Sequence, residues 1–208
     1  MNKPNEYSST NLNKYQCQHP FAIKRIGRFY ESLIKLIVSV KPGNMLNIGC
    51  GEGFDIKRIY ESGITNFGYC YGLDLNFDSL KIAKKNLTNL RFHAVMGDIY
   101  YLPIKLDRFN VILCLEVLEH LNYPERALKE ISQHFNGWCI FSVPNEPLYR
   151  LTRMIVFKQN ILKLGNNSAH INRWSKNKFS HLIRKFFTVD DIITSFPWTI
   201  VLCHKKGK

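Results

Sequence analysis

The run MLNIGCGEGFD places three glycines, Gly49, Gly51 and Gly53, directly after a short apolar segment. Glycines at this spacing let the backbone turn sharply and let a ligand approach the main chain closely. Two carboxylates follow later apolar runs, Asp74 in YGLDLN and Asp98 in MGDIYYLP. Because an acidic side chain at the end of a strand can accept hydrogen bonds from ribose hydroxyls, these residues together predict a cleft shaped for a nucleoside.

A second cluster lies in VILCLEVLEHL, where an apolar run leads into Glu116, Glu119 and His120. We predict a helix that begins near Glu116, which would place the three side chains on one face. Three interpretations stay open. The glutamates stabilise a helix N-terminus and His120 fills a polar niche; or His120, oriented by Glu119, is a general base for a hydroxyl or amine; or all three bind a divalent metal.

The elements that must position these residues alternate along the chain. Apolar runs predict strands, and helical spacing of apolar residues predicts the helices between them. The strands are 45–48, 67–73, 91–96, 109–113, 138–143, 189–193 and 199–203, and the helices are 21–40, 55–62, 78–86, 124–133, 148–164 and 175–187. This order predicts an α/β fold, a doubly wound, mostly parallel seven-stranded sheet with an antiparallel C-terminal hairpin.

Length and composition predict one cytoplasmic domain. The 208 residues suffice for a sizeable core, and no apolar run approaches the roughly 18 residues that a membrane span needs. Six dispersed cysteines without a C-x-x-C pair are typical of a reducing compartment. We divide the domain into a polar lead, an N-terminal helix, a ligand-binding core, a substrate-side insertion and C-terminal strands: 1–18, 19–41, 44–143, 144–187 and 188–204.

Charge is distributed unevenly. The formal net charge is +13, and the stretch 147–189 contains no Asp or Glu. It carries nine basic residues: Arg150, Arg153, Lys158, Lys163, Arg173, Lys176, Lys178, Arg184 and Lys185. Such a stretch is either a solvated basic face or a surface for an anionic partner. The partner is then a small anionic molecule, with RNA or an anionic membrane surface as the alternatives.

From residue 44 to residue 143 the sequence resembles the class I S-adenosylmethionine-dependent methyltransferases, in their small-molecule, ubiquinone-biosynthesis-like branch. The spacing G-x-G-x-G, rather than G-x-G-x-x-G, favours S-adenosylmethionine over a dinucleotide. The resemblance implies that the glycine loop lies against the methionine moiety, that Asp74 binds the ribose, and that Asp98 and Ile99 frame the adenine. Asn47 stands where the family usually has an acidic residue. The implied cofactor-binding residues are Asn47, Gly49, Cys50, Gly51, Gly53, Asp74, Leu75, Asp98, Ile99 and Leu115.

The resemblance also bears on the E-V-L-E-H run. A similar run is widespread in ubiquinone-type methyltransferases, often with no established metal role. The small-RNA 3′-terminal 2′-O-methyltransferases and some quinone O-methyltransferases use E-x-x-E-H and a later histidine to hold a metal. The later histidine here is His170, in NNSAHINRW. His120 and His170 are therefore the predicted catalytic residues. Together with Glu116 and Glu119 they are also the predicted ligands of a divalent metal, but metal binding is not the favoured interpretation.

We expect the acceptor pocket to lie outside the strand–helix core. Asn145 and Glu146 follow the fifth predicted strand, and Tyr149 and Trp174 are candidates for an aromatic wall, although such rings more often pack in a core. The predicted function is methyl transfer from S-adenosylmethionine to an oxygen, or else a nitrogen, of a small anionic molecule. The alternatives are an RNA methyltransferase with a metal-assisted site and a non-catalytic cofactor-binding scaffold of the same fold.

Overall fold

A seven-stranded sheet organises the chain, in a computed structural model that describes residues 20–64, 67–146 and 171–207. The strands are β1 (Met45–Ile48), β2 (Cys70–Asp74), β3 (Phe92–Met96), β4 (Val111–Leu115), β5 (Trp138–Pro144), β6 (Phe187–Ser195) and β7 (Trp198–Lys205). Their order across the sheet is β3-β2-β1-β4-β5-β7-β6. Strands β1 to β5 pair in parallel, and β7 pairs antiparallel with both β5 and β6. The predicted fold class is confirmed.

Helices cover both faces of the sheet. They are α1 (Pro20–Ser39), α2 (Phe54–Glu61), α3 (Phe77–Asn86), α4 (Pro124–His134) and α5 (Lys176–Arg184). On one face the buried apolar side chains of α1, α2 and α3 form a single cluster with the strands, and on the other those of α4 and α5 do the same. Parallel strands need crossovers of this kind, which bury both faces; accordingly all five residues of β4 are buried.

Because β1 lies between β2 and β4, the chain winds away from it in both directions. The carboxyl ends of β1, β2, β3 and β4 therefore share one edge of the sheet, beside the point where the strand order reverses. Open α/β sheets bind ligands at such a point. The glycine loop, Asp74, Asp98 and the E-V-L-E-H run all lie at this edge, as their positions after strands predicted.

Several predicted boundaries are wrong. Strand β4 runs from Val111 to Leu115 rather than from 109 to 113, because Leu115 still pairs with Ser142 of β5. Strand β2 begins at Cys70 rather than at 67. The predicted helix 175–187 ends at Arg184, since Phe187 is the first residue of β6.

Several predictions fall outside the described residues. These are the polar lead 1–18, the helix 148–164, Cys17, Tyr149 and His170. The five described cysteines are all buried and unbridged, and burial raises the pKa of the Cys50, Cys70, Cys114 and Cys139 thiols above the ordinary range. Among the helices that the structure describes, not one combines the length and the apolar character that crossing a bilayer demands.

Candidate functional site at the carboxyl edge of the sheet

The glycine loop leaves β1 through three left-handed residues. Gly49, Gly51 and Gly53 have φ angles of 73°, 51° and 79°, a region that residues with a Cβ enter only at a cost. Space is also limited at two of the positions. A Cβ on Gly53 would lie 2.8 Å from the Leu87 side chain, and one on Gly49 would overlap the side chain of Val117. Glycine is therefore required here by conformation and by packing.

Asp74 joins the end of β2 to this loop. Its Oδ2 accepts a hydrogen bond of 2.8 Å from the backbone N–H of Gly51, and its Oδ1 accepts one of 2.8 Å from the N–H of Asn76. Asn76 in turn caps α3, because its Oδ1 accepts from the N–H groups of Asp78 and Ser79. The carboxylate is thus fixed between two loops. Each of its oxygens keeps a second lone pair for a ligand hydroxyl.

The predicted adenine residues lie two and three positions beyond the end of β3. Asp98 Oδ1 accepts a hydrogen bond of 2.9 Å from the N–H of Tyr100, which closes a tight turn at the strand end. Ile99 is buried, whereas Leu75, directly after Asp74, is 67% exposed. An exposed leucine beside an anchored carboxylate offers apolar surface to a planar base.

The side chain of Asn47 is buried at the end of β1, with 1% exposure. Within the described part of the chain, neither its Nδ2 nor its Oδ1 has a hydrogen-bond partner. Unpaired amides of this kind are uncommon, because burying them unpaired costs free energy. A ligand with donor and acceptor groups, such as an amino acid moiety, would satisfy both atoms. The donor set therefore fits S-adenosylmethionine.

The run after β4 is not the α-helix that the sequence predicted. A short 3₁₀ turn covers Leu118–His120, and α4 begins only at Pro124. Glu116 has a φ angle of 58°, so the chain reverses between the strand and the turn. Glu116, Glu119 and His120 consequently do not share one helical face, because a residue with a left-handed backbone conformation cannot be part of a right-handed α-helix.

Glu116 is instead held by a contact across the sheet. Its Oε2 accepts a hydrogen bond of 2.7 Å from the indole N–H of Trp198, the first residue of β7. Trp198 is 4% exposed and packs on α1, with its ring centroid 5.2 Å from that of Phe29. The guanidinium carbon of Arg25 lies 5.9 Å from the Trp198 ring centroid. Helix α1 thus supports the tryptophan that orients Glu116.

Glu119 and His120 lie beside residues of the predicted insertion 144–187. The carbonyl oxygen of Glu119 accepts hydrogen bonds from the N–H groups of Ile171 (2.9 Å) and Asn172 (3.0 Å). Glu119 is buried and His120 is half-buried. Ile171 follows His170 directly, but His170 itself lies outside the described residues, so its predicted role stays a prediction.

No three His, Cys, Asp or Glu side chains come together as a metal site within residues 20–64, 67–146 and 171–207. The geometric reason for expecting one, a common helical face for Glu116, Glu119 and His120, is wrong. The fourth residue of the predicted set, His170, lies outside the described residues.

Asn145 and Glu146 connect the end of β5 to α5. The Oδ1 of Asn145 accepts from the N–H of Lys176 at 3.3 Å, and the N–H of Glu146 donates to the carbonyl oxygen of Trp174 at 2.9 Å. Two described parts of the insertion, 145–146 and 174–176, are therefore hydrogen-bonded to each other. Trp174, predicted as an aromatic wall, lines a cleft together with Tyr123 and Arg126.

Sequence reasoning missed Trp198 and the residues around Tyr100. It assigned Trp198 to a link between strands, whereas the β5–β7 register pairs it with Pro144 and brings it beside Glu116. Tyr100 accepts a hydrogen bond on its hydroxyl from the N–H of Tyr123 at 3.0 Å. No local pattern signals either contact, because both join residues that are far apart in the sequence.

Comparison with known proteins shows a consistent likeness. The model of a family described as a methyltransferase domain matches residues 21–188. A ubiquinone biosynthesis O-methyltransferase of Hydrogenovibrio crunogenus is 23% identical over 155 residues, which are 72% of this chain and 62% of that protein. A norajmaline N-methyltransferase of Rauvolfia serpentina is 33% identical over 98 residues, which are 45% of this chain and 32% of that protein. The chain thus spans less than two thirds of these relatives.

A solved structure has the same fold. The magnesium protoporphyrin IX methyltransferase of Synechocystis PCC 6803, determined with bound SAH, superposes with a TM-score of 0.69. The superposition covers 96% of each chain at 16% sequence identity. At this identity the likeness concerns the sheet and its helices.

Proposed function

The chain belongs to the methyltransferase family whose domain model matches residues 21–188, and we propose that it transfers the methyl group of S-adenosylmethionine to an oxygen of a small molecule. Nitrogen is the second choice of acceptor atom. Oxygen is favoured because the relative from Hydrogenovibrio crunogenus, which matches 72% of the chain, is named an O-methyltransferase, whereas the named N-methyltransferase matches 45%. An anionic acceptor is favoured by the net charge of +13.

One observation carries the proposal: the carboxylate of Asp74 anchors the glycine loop through the N–H of Gly51, 2.8 Å away. This contact fixes a left-handed turn and an acidic acceptor at one place, beside the buried amide of Asn47, which has no hydrogen-bond partner among the residues that the structure describes. In the proposed complex Asn47 and the loop Gly49–Gly53, with Cys50, hold the methionine moiety, and Asp74 holds the ribose. Leu75, Asp98, Ile99 and Leu115 surround the adenine and the adjoining part of the ligand.

S-adenosylmethionine supplies an electrophilic methyl group, so the protein's task is to position an acceptor and exclude water. We propose that His120 accepts the proton of the acceptor hydroxyl. His120 directly follows Glu119 in the 3₁₀ turn, at the edge where the glycine loop also lies. His170 is the second candidate for this proton.

The test has two stages. Calorimetry of the purified chain should detect one site for S-adenosylhomocysteine per molecule. Methyl-labelled S-adenosylmethionine, incubated with fractionated extract, should then give labelled products of low molecular mass. Binding without transfer to any fraction would favour the scaffold alternative, and label in RNA would favour the RNA alternative.

Substitution of His120 separates catalysis from binding. We expect His120→Gln to lower turnover about 100-fold, the usual contribution of a general base, while affinity for S-adenosylhomocysteine stays within twofold. His134→Gln is the control, because His134 is an exposed histidine at the end of α4. Equal turnover in the two variants would remove His120 from the proposal.

A further inference from the structure

A cleft of about 620 Å³ opens between the N-terminal end of α4 and the segment 172–174, and Leu182 of α5 also lines it. Its walls include the rings of Tyr123 and Trp174 and the apolar side chain of Leu182. Tyr123 is 67% exposed, and the Trp174 ring rests on Phe179 with centroids 5.7 Å apart. Aromatic rings that border a cleft offer large, rigid contact surfaces to another planar ring.

Arg126 places a fixed positive charge on the same cleft. Its guanidinium carbon lies 4.5 Å from the ring centroid of Tyr101 and 5.2 Å from that of Tyr100. These two rings restrict the side chain, as cation–π contacts do. In the described part of the chain no carboxylate pairs with Arg126.

The carboxylate that also lines the cleft is already neutralised. Glu125 Oε1 lies 2.9 Å from the Nζ of Lys185, the residue directly after α5. On α5, Lys178 lies four residues before Leu182, one helical turn away on the same side. The charge left over in and around the cleft is therefore positive. A guanidinium recognises carboxylates and phosphates through paired hydrogen bonds.

Tyr123 lies in the loop that follows β4, and the segment that carries Trp174 is hydrogen-bonded to the same loop. The N–H of Tyr123 donates to the Tyr100 hydroxyl at 3.0 Å, and the Nδ2 of Asn172 donates to the carbonyl oxygen of Leu121. Asn172 lies two residues from Trp174, and Leu121 follows His120 directly. The cleft is consequently preformed and adjoins the turn that carries the proposed base.

We propose that this cleft binds a planar aromatic ring that bears a carboxylate or a phosphate. The ring lies against Tyr123 and Trp174, and the anionic group lies at Arg126. The claim that the cleft binds such a ligand depends only on the contacts described above. The further claim that this ligand is the methyl acceptor rests on the proposed function. A free aromatic acid and a nucleotide share this chemistry, and the test separates them.

The experiment uses the full chain and two pairs of probes at low salt. The first pair is 2-naphthoate and neutral 2-naphthylmethanol, and the second is UMP and neutral uridine, which lack the adenine that the proposed cofactor site recognises. We expect the charged member of at least one pair to bind about tenfold tighter than its neutral partner, as a hydrogen-bonded charge pair allows. Binding should quench tryptophan fluorescence in the native chain and leave it unchanged in Trp174→Phe.

Two arginine variants provide the decisive contrast. Arg126→Gln should remove the preference for the charged probe and leave the neutral probe within twofold. Arg58→Gln is the matched control, because Arg58 is exposed and also lies over a tyrosine ring, that of Tyr30 at 5.8 Å. Tyr123→Ala should weaken both members of a pair. If naphthoate binding depends on Arg126, the ligand is a free aromatic acid. If UMP binding depends on Arg126, the ligand is a nucleotide.

The inference is overturned if no probe binds at millimolar concentration, or if Arg126→Gln changes affinity no more than Arg58→Gln does. These measurements need neither cofactor nor turnover. A negative result would therefore refute the proposed ligand of the cleft without bearing on the proposed methyl transfer. A chain that binds S-adenosylhomocysteine but none of the four probes would refute the cleft and leave the proposed function standing. Circular dichroism of each variant shows whether it folds.

Discussion

The loops that follow β1 and β4 contact each other, and both contain residues with a left-handed backbone conformation. They differ in the residue type that adopts this conformation and in the contact that holds it. In the first loop every left-handed residue is a glycine, and the carboxylate that anchors it comes from the neighbouring strand β2. In the second loop the left-handed residue is Glu116, which the indole of Trp198 holds from β7, two strands away from β4 in the sheet.

The difference has an energetic meaning. Glycine adopts positive φ without steric cost, whereas a residue with a Cβ loses about 1–2 kcal/mol there. The first loop is thus relaxed by its own composition. The second is strained and depends on a distant hydrogen bond, an arrangement that is typical of functional positions. The two loops meet where the Val117 side chain fills the space beside Gly49.

The largest expected effect comes from disrupting the contact between Gly49 and the side chain of Val117. Gly49→Ala combines a φ of 73° with a Cβ that overlaps Val117. We expect it to lower the free energy of unfolding by about 2–4 kcal/mol and to abolish measurable binding of S-adenosylhomocysteine. Urea denaturation and calorimetry give the two quantities.

Substitutions at two other glycines separate the effect of backbone strain from the effect of the overlap with Val117. At Gly63 the φ is 92° but a Cβ would meet nothing within 4 Å, so Gly63→Ala should cost only the strain of about 1–2 kcal/mol. At Gly27, inside α1, neither problem exists, so Gly27→Ala should stabilise the chain by about 0.5–1 kcal/mol. If Gly49→Ala costs no more than Gly63→Ala, the contact between the loops is unimportant.

The second prediction concerns the anchor of the first loop. Both oxygens of Asp74 accept a hydrogen bond from a backbone N–H. Asp74→Asn replaces one of these oxygens with an NH₂ group, which is a donor and therefore cannot accept that hydrogen bond. Because a hydrogen bond to a charged group contributes about 1.5–3 kcal/mol, affinity for S-adenosylhomocysteine should fall by about 10- to 100-fold. Asp78→Asn, on the exposed start of α3, is the control and should change affinity less than twofold. Calorimetry measures both.

The third prediction tests the anchor of the second loop. Trp198→Phe removes the indole donor of Glu116 and should lower the free energy of unfolding by about 1–3 kcal/mol. In a Glu116→Gly background the same change should cost about 1–2 kcal/mol less, because the pair is already broken and φ is relaxed. Trp138→Phe serves as the control in both backgrounds. Additive effects of Trp198→Phe and Glu116→Gly would show that the indole does not hold the loop.

The smallest expected effect concerns Glu52 in the first loop. Burial raises the pKa of Glu52, and the charge of Asp74 raises it further. The folded chain therefore holds this proton more tightly than the unfolded chain, so stability falls as the pH rises from the ordinary carboxyl range through the raised pKa. Glu52→Gln cannot ionise and should be more stable than the native chain at pH 8, by less than about 1 kcal/mol, but not at pH 4. An equal difference at both pH values would contradict this.

Much of the first loop could be predicted from the sequence. Gly49, Gly51 and Gly53 are distinctive because only glycine tolerates their backbone angles, and Asp74 and Asp98 follow apolar runs that are recognisable strands. The family match over residues 21–188 confirms the resemblance that these residues indicated. Local conformational preference and local burial are both encoded by neighbouring residues, so a sequence pattern reveals them.

The second loop could not be predicted in the same way. The pattern of Glu116, Glu119 and His120 fits a helix equally well, and nothing near Glu116 indicates positive φ. The turn forms where Trp198, 82 residues away, donates its N–H, and the Tyr123–Trp174 cleft depends likewise on contacts of Tyr100 and Asn172 with distant residues. The sequence by itself determined the sheet, its order of elements and the glycine loop, because their causes are local. Only the tertiary structure decided where Glu116 is held and which rings face Arg126, because those causes are contacts between strands and helices that meet after folding.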